Sequence, residues 1–296
     1  MTETPGFDPD WLALREPADM AARNSDIIDE LIIALGRRPH ARIVDLGAGT
    51  GSTLRAICEH LPPWQTWTLV DNDAALLEHG KDLLLQWADT SERTEAVDPF
   101  CEPEGLKLAK DDRVLDVRFR VADLQGAHLP VPADGLHLVT SSAFFDLTSR
   151  AFAAKLVPQI AKEKAVFYGA LEVDGRVAWS PAHPVDGEMK AAFLHDQQID
   201  KGFGPALGPS APSVLKKEFE AAGYTVSMGP SDWKVGTIGR RSQHERLATA
   251  LAAGWVDVAR ENRMVAEQNV DRWSAARQSD NSGCVVGHQD VLAVPT

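Results

Sequence analysis

A chain of 296 residues with 44% hydrophobic and 25% charged positions has an ordinary globular balance and room for one large α/β domain or two small ones. A net charge of −13 excludes a general phosphate-neutralising surface: the basic residues gather only in short clusters, Gly36-Arg37-Arg38 and Gly239-Arg240-Arg241, so no nucleic-acid partner is expected. No apolar run approaches the length of a membrane span, and residues 1 to 10 lack a basic-then-apolar leader. Cys58, Cys101 and Cys284 show neither a CxxC pair nor zinc spacing, so a reduced, cytoplasmic compartment without membrane attachment is expected.

Residues 17 to 36 read as one helix, with Pro17 in its first turn, an apolar stripe at Ile27, Ile28, Leu31, Ile32 and Leu35, and Gly36 as C-cap. Ala41 to Leu46 is a short buried strand running into Gly47-Ala48-Gly49-Thr50-Gly51. A helix with Leu54, Ile57, Cys58 and Leu61 follows and stops at Pro62-Pro63. Trp67 to Val70 is the next strand, ending in Asp71-Asn72-Asp73, and residues 74 to 88 form a helix. A polar stretch from 89 to 112 reads as loop. Strands are expected at Val117 to Val121, Leu136 to Thr140 and Lys164 to Glu172, with a helix at 149 to 162 and a tight turn at Asp174-Gly175 into Arg176 to Trp179. Further on come a helix at 213 to 222, a strand at Tyr224 to Met228, helical residues from 243 to 277, and a strand at Cys284 to Val294. Strands alternating with helices predict an α/β fold with a parallel sheet, interrupted by insertions at 180–212 and 243–278.

The glycine turn carries the chemistry. Small residues between a buried strand and a helix let the backbone approach a ligand closely. Asp45 stands before the turn, and Asp71, at the end of the second strand, follows 20 residues after Gly51; a carboxylate there is placed to accept from ribose hydroxyls. A nicotinamide or flavin dinucleotide site wants its third glycine at position 52, which is Ser52. A purely structural turn is the other reading.

With Asp45, Gly47, Gly49 and Gly51, then Asp71, then Asp123 in Val121-Ala122-Asp123-Leu124, the sequence resembles the class I, Rossmann-like S-adenosylmethionine-dependent methyltransferases. The fourth strand, Asp134 to Ser142, departs from that pattern in having His137 at a place that is often Asp. The resemblance implies a single domain with a seven-stranded, mostly parallel sheet, its last strand antiparallel. Residues 1–40 would form a helical cap and 41–179 the cofactor-binding core; the insertions at 180–212 and 243–278 would lie near the acceptor, and 223–229 and 284–294 would supply the last strands. It implies S-adenosylmethionine as cofactor, held by Arg15, Asp45, Gly47, Ala48, Gly49, Gly51, Asp71, Asn72, Asp123, Leu124 and Ser141. The segment Trp11 to Pro17 would precede the first helix and fold over the cofactor, with the Arg15 guanidinium suited to its carboxylate.

A sulfonium methyl is already activated, so the protein's task is to hold an acceptor in line, and a base is needed only for an acceptor that must lose a proton. His183 and His195 are the candidate bases. Phe144, Asp196 and Trp233 are candidate acceptor contacts, whereas Trp255 and Trp273 read as packing anchors. Asp196 with Asp200, and Gln197 with Lys201, would share adjacent faces of one helix; a solvated helix face is the plainer reading. His183, Asp186, His195 and Asp196 have no recognised ligand spacing, so no metal is expected. The acceptor is expected to be a small molecule methylated on nitrogen or oxygen. The alternative is a catalytically silent S-adenosylmethionine-binding module serving as sensor or partner protein.

Overall fold

The computed structural model describes residues 8–95, 104–126, 128–132, 135–238, 241–279 and 281–296. Two helices open the chain, α1 (Pro9–Ala22) and α2 (Ser25–Leu35), where a single one was expected. The break falls at Arg23-Asn24 because the Asn24 side chain accepts from the Ile27 backbone N–H as N-cap of α2. Pro17 and the segment Trp11 to Pro17 thus lie inside α1, and Gly36 caps α2 at φ +63°.

The elements that follow are β1 (His40–Leu46), α3 (Ser52–Ile57), β2 (Trp64–Asp71), α4 (Ala74–Trp87), β3 (Thr90–Glu95), β4 (Glu104–Lys110), β5 (Arg113–Val121) and β6 (Leu138–Ser142). Then come α5 (Arg150–Glu163), β7 (Val166–Ser180), α6 (Asp186–Asp196), α7 (Ala211–Ala221), β8 (Tyr224–Pro230), β9 (Trp233–Ile238), β10 (Arg241–Gln243), α8 (Glu245–Asn262), α9 (Glu267–Arg277) and β11 (Gly283–Pro295). All strands join one sheet in the order β10-β9-β11-β7-β6-β1-β2-β5-β4-β3, and β8 also pairs with β11. Within it β5, β2, β1, β6, β7, β11 and β8 make up the seven-stranded α/β sheet expected of a Rossmann-like methyltransferase fold. Its inner pairs are parallel, and β11 runs antiparallel to both neighbours.

Four strands go beyond that expectation. The polar stretch expected as loop holds β3 and β4, an antiparallel hairpin laid on the edge of β5; Cys101 lies outside the described residues. At the opposite edge β11 changes partner along its length: Gly283–Val286 pair with β9 and Gln289–Pro295 with β8.

Asp174-Gly175 does not reverse the chain. β7 runs through it, and Asp174, Gly175 and Arg176 bulge out of the ladder where Val286 pairs with Val177 and His288 with Val173. Gly175 takes φ +79°, the Asp174 carboxyl accepts from the Arg176 backbone N–H, and Gly287 opposite leaves room for it: a Cβ there would meet Asp174 Oδ1 at 2.3 Å. The far end of β7 therefore projects beyond the ends of the other parallel strands as a ribbon with β11 and β9.

Three buried clusters follow. Helices α2, α3 and α4 cover one face of the sheet through Leu31, Leu54 and Leu77, and α5 and α7 cover the other through Leu156, Val214 and Phe219. The third wraps the projecting ribbon with α1, α6, α8 and α9. In it Trp179, Trp255 and Trp273 meet edge to face and stacked, and the buried Arg277 guanidinium lies over Trp179 and Trp273. No helix among the described residues is long and apolar enough to cross a membrane.

Candidate functional site

The parallel strands end together at a cleft of about 890 Å³. Its floor at one end is the glycine turn. β1 runs out at Leu46, Gly47 and Gly49 take φ of +63° and +52°, and Ala48 N–H returns to the Val70 carbonyl of β2 at 3.0 Å. The close approach is real at Gly47, where a Cβ would lie 2.5 Å from the Phe144 ring. Asp71, at the end of β2, holds the turn: its two carboxyl oxygens accept from Gly49 N–H at 2.8 Å and Asp73 N–H at 3.0 Å. Burial pushes its pKa up, and those two backbone donors work against the rise. Asp73 then N-caps α4, accepting from Ala75 and Leu76.

Helix α1 closes over this end. Arg55, buried on α3, donates to the Thr50 carbonyl at 2.7 Å and makes a bidentate pair with Glu16 at 2.7 Å on both arms. One guanidinium thus ties α1 to the glycine turn. Leu12, Arg15 and Asp19 of α1 face the cleft. Arg15 pairs with Asp19 at 2.8 Å and lies over the Trp233 ring, whose indole N–H also donates to Asp19 at 2.9 Å. One turn on, Arg23 reaches Ser142 and the Tyr168 hydroxyl; Tyr168 donates to the buried Asp290 at 2.9 Å, which also accepts from Asn24 and Leu171 backbone N–H groups.

The other end is aromatic. Phe144 and Leu147 follow β6, and Phe193 comes from α6. Phe203 comes from the loop after α6, which Asp200 closes by accepting from Gly202 and Gly204 N–H groups. Phe203 meets Phe144 and Phe152 edge to face, and Phe193 stacks on Trp255 at 4.6 Å. Between the two ends stands Asp146. Glu172 of β7, wholly buried, accepts from the Phe145 and Asp146 N–H groups at 3.2 and 2.9 Å, which sets its carboxyl beside Asp146. Burial pushes Asp146 up to about 6, with Arg15's charge acting the other way; burial and then the Asp146 charge hold Glu172 well above the usual carboxylate range. Two neighbouring buried carboxyls disfavour carrying two charges together.

The sequence-predicted residues divide. Arg15, Gly47, Ala48, Gly49, Asp71, Asn72, Leu124, Phe144 and Asp196 line the cleft. Asp45 lies beneath the floor, fully buried, accepting from Thr140 Oγ at 2.7 Å and pushed up to about 6 by burial. Gly51 turns away to pack near Leu69 and Leu84, and Ser141 is buried beside Gly169, so Ser142 takes the cleft position in its place. Asp123 is exposed and accepts from Gln125 N–H, while Ala122 and Leu124 on either side face the cleft. Asp134 lies outside the described residues.

The two candidate bases stand elsewhere. α6 docks on the ribbon through Met189 and Ala192, which leaves His195 on its exposed side, while His183 sits before its first turn with its ring accepting from Val185 N–H. Trp233 is buried behind Arg15. The Asp196–Asp200 helix expectation also changes: α6 ends at Asp196, and Lys201 folds back to pair with Asp196 at 3.0 Å. Among the described residues segment 243–278 contributes no wall residue; α8 packs against α6. Among the described residues no group of three or more His, Cys, Asp or Glu could hold a metal ion.

No protein-family model matches the chain, and neither does any curated protein. Solved structures resemble its fold over nearly the whole chain at low identity. The YcgJ protein of Bacillus subtilis shares 15% identity and a TM-score of 0.48, covering 92% of this chain and 100% of that one. The cyclopropane synthase MmaA2 of Mycobacterium tuberculosis shares 13% and 0.46, over 99% and 100%. A SAM-dependent methyltransferase of Geobacter sulfurreducens, solved with S-adenosyl-L-homocysteine, shares 14% and 0.44, over 98% and 99%.

Proposed function

We propose that this chain is an S-adenosylmethionine-dependent methyltransferase acting on a small molecule. The observation that carries the reading is Asp71: a buried carboxylate at the end of β2 that grips the Gly49 backbone and opens onto the cleft. The cleft volume lies within the roughly 300–1,000 Å³ typical of small-molecule sites, and at about 890 Å³ it sits near the top of that range, as a nucleoside cofactor beside an acceptor requires.

The residues present fit the cofactor. Asp71 and Asn72 would take the ribose, Ala122 and Leu124 the flat face of the base, the Gly47–Gly49 backbone the amino-acid end, and Arg15 its carboxylate. Bound S-adenosylmethionine supplies a methyl group on a positively charged sulfur. The chain's own part is positioning and exclusion of water. α1, tied down by Arg55, covers the glycine turn, and the aromatic wall of Phe144, Phe193 and Phe203 gives an acceptor an apolar seat. His183 and His195 lie outside the cleft lining, whereas Asp146, backed by Glu172, is a group on that lining able to hold a proton.

Titration calorimetry tests the reading: S-adenosylmethionine should bind, NAD should not, and NAD binding in its place would overturn it. Release of S-adenosylhomocysteine with any member of a panel of small amines, phenols and carboxylates separates an enzyme from a silent binding module.

A further inference from the structure

Among the described residues five carboxyl side chains line the cleft, Asp19, Asp71, Asp73, Asp146 and Asp196, against two cations, Arg15 and Lys201. Four of the five are accounted for. Asp19 is paired with Arg15 and Trp233, Asp196 with Lys201, Asp71 with backbone N–H groups, and Asp73 with the start of α4. Among the described residues Asp146 has no cation of its own. Its Oδ1 is buried without a hydrogen-bond partner, its neighbour Glu172 is a second carboxyl, and Arg15, whose charge reaches it, is engaged by Asp19. Phe144, Leu147, Phe193 and Phe203 line the same cleft.

A carboxyl facing a low-dielectric cleft favours a ligand that brings the missing positive charge or an N–H donor. An anionic acceptor would add a like charge beside Asp146, and a neutral hydroxyl would leave the charge uncompensated. Aromatic faces lining the same cleft favour a cation further.

The geometry points to Asp146 as the residue that selects the acceptor: it takes the nitrogen of a small amine whose apolar body rests on Phe144, Phe193 and Phe203. Glu172 is a positioning residue that holds Asp146 in place through the Phe145 and Asp146 backbone N–H groups. As a statement about the acceptor this rests on the methyl-transfer reading; as a statement about ligand binding it does not.

Three shape-matched probes test it: phenethylamine, 2-phenylethanol and phenylacetate, each titrated into the full chain with and without saturating S-adenosylhomocysteine. The amine is expected to bind at least about tenfold more tightly than the other two, about 1.4 kcal/mol. Asp146→Asn should abolish that preference while S-adenosylhomocysteine still binds, which reports an intact fold. Glu172→Leu, which removes a partner that lowers the Asp146 pKa, should move the acid limb of amine binding to higher pH, and Glu172→Gln, which keeps a donor, should restore it together with the preference; a merely structural role would leave the limb in place. Equal affinity for the three probes, tighter binding of phenylacetate, or a preference that survives Asp146→Asn overturns the inference. Amine selection through Asp146 without S-adenosylhomocysteine binding keeps the inference and removes methyl transfer; S-adenosylhomocysteine binding without amine selection does the reverse.

Discussion

The two ends of the cleft are built in opposite ways. The glycine-turn end comes from consecutive chain: β1, the turn, α3, the end of β2 and the start of α4 span Asp45 to Leu76, and its main ties are backbone hydrogen bonds to Asp71 and Asp73. The aromatic end draws Phe144 and Asp146 from after β6, Glu172 from β7, Phe193 from α6 and Phe203 from the following loop. The first end is a local consequence of strand, glycine and carboxylate. The second exists only because β7 overshoots the sheet and carries α6 with it.

Cutting the tie between α1 and the turn should give the largest effect. Arg55→Met leaves Glu16 facing the turn without its partner, which for a largely buried pair costs about 3–5 kcal/mol. Urea unfolding should show that loss, and S-adenosylhomocysteine affinity should fall with it; a loss below about 1 kcal/mol would mean that α1 is held elsewhere.

Asp45 asks whether the acid before the glycines serves ligand or fold. Burial raises it from 3.8 to about 6, so the folded state prefers the proton. The stability this proton confers is complete below about pH 4, falls as pH rises towards 6, and is gone above. Asp45→Asn mimics the protonated form, keeps an acceptor for Thr140, and should remove the loss, leaving the variant up to about 3 kcal/mol more stable than the parent at pH 8. Denaturant midpoints measured across that range give the result; a variant no more stable at pH 8 would show a role beyond the fold.

Asp71→Asn should follow. Both carboxyl oxygens accept backbone N–H groups, so an amide must turn its NH2 toward a donor, at about 2 kcal/mol. Cofactor affinity should drop about thirtyfold with little change in the aromatic end, read by calorimetry. The smallest effect is expected at Trp233→Phe, which removes one hydrogen bond to Asp19, about 1 kcal/mol. It loosens Arg15 without touching the glycine turn, so thermal stability should fall slightly and any pH limb set by Asp146 should shift.

How far the sequence could be read follows the same division. Asp71 was legible because a carboxylate at a strand end after a glycine turn has few other uses. Glu172 left one signal, an acid closing the apolar run Ala165 to Leu171 in a strand read to residue 172, and its meaning depended on Asp146, 26 positions earlier. His195 stood out as a polar residue in a run read as helix, and His183 in a polar segment before it, but a helix presents whichever side its apolar contacts leave free, and Met189 with Ala192 turned α6 the other way. The loop reading of 89–112 failed because a polar, half-exposed hairpin pairs through its backbone rather than through an apolar pattern.

The sequence by itself determined the parallel α/β core, the glycine turn and the carboxylate that holds it, because each depends on residues adjacent in the chain. Tertiary structure alone decided that Asp45 supports rather than lines the cleft, that α1 closes it, and that Asp146 meets Glu172. Those outcomes depend on strand register and helix docking, which place side chains together that no local pattern relates.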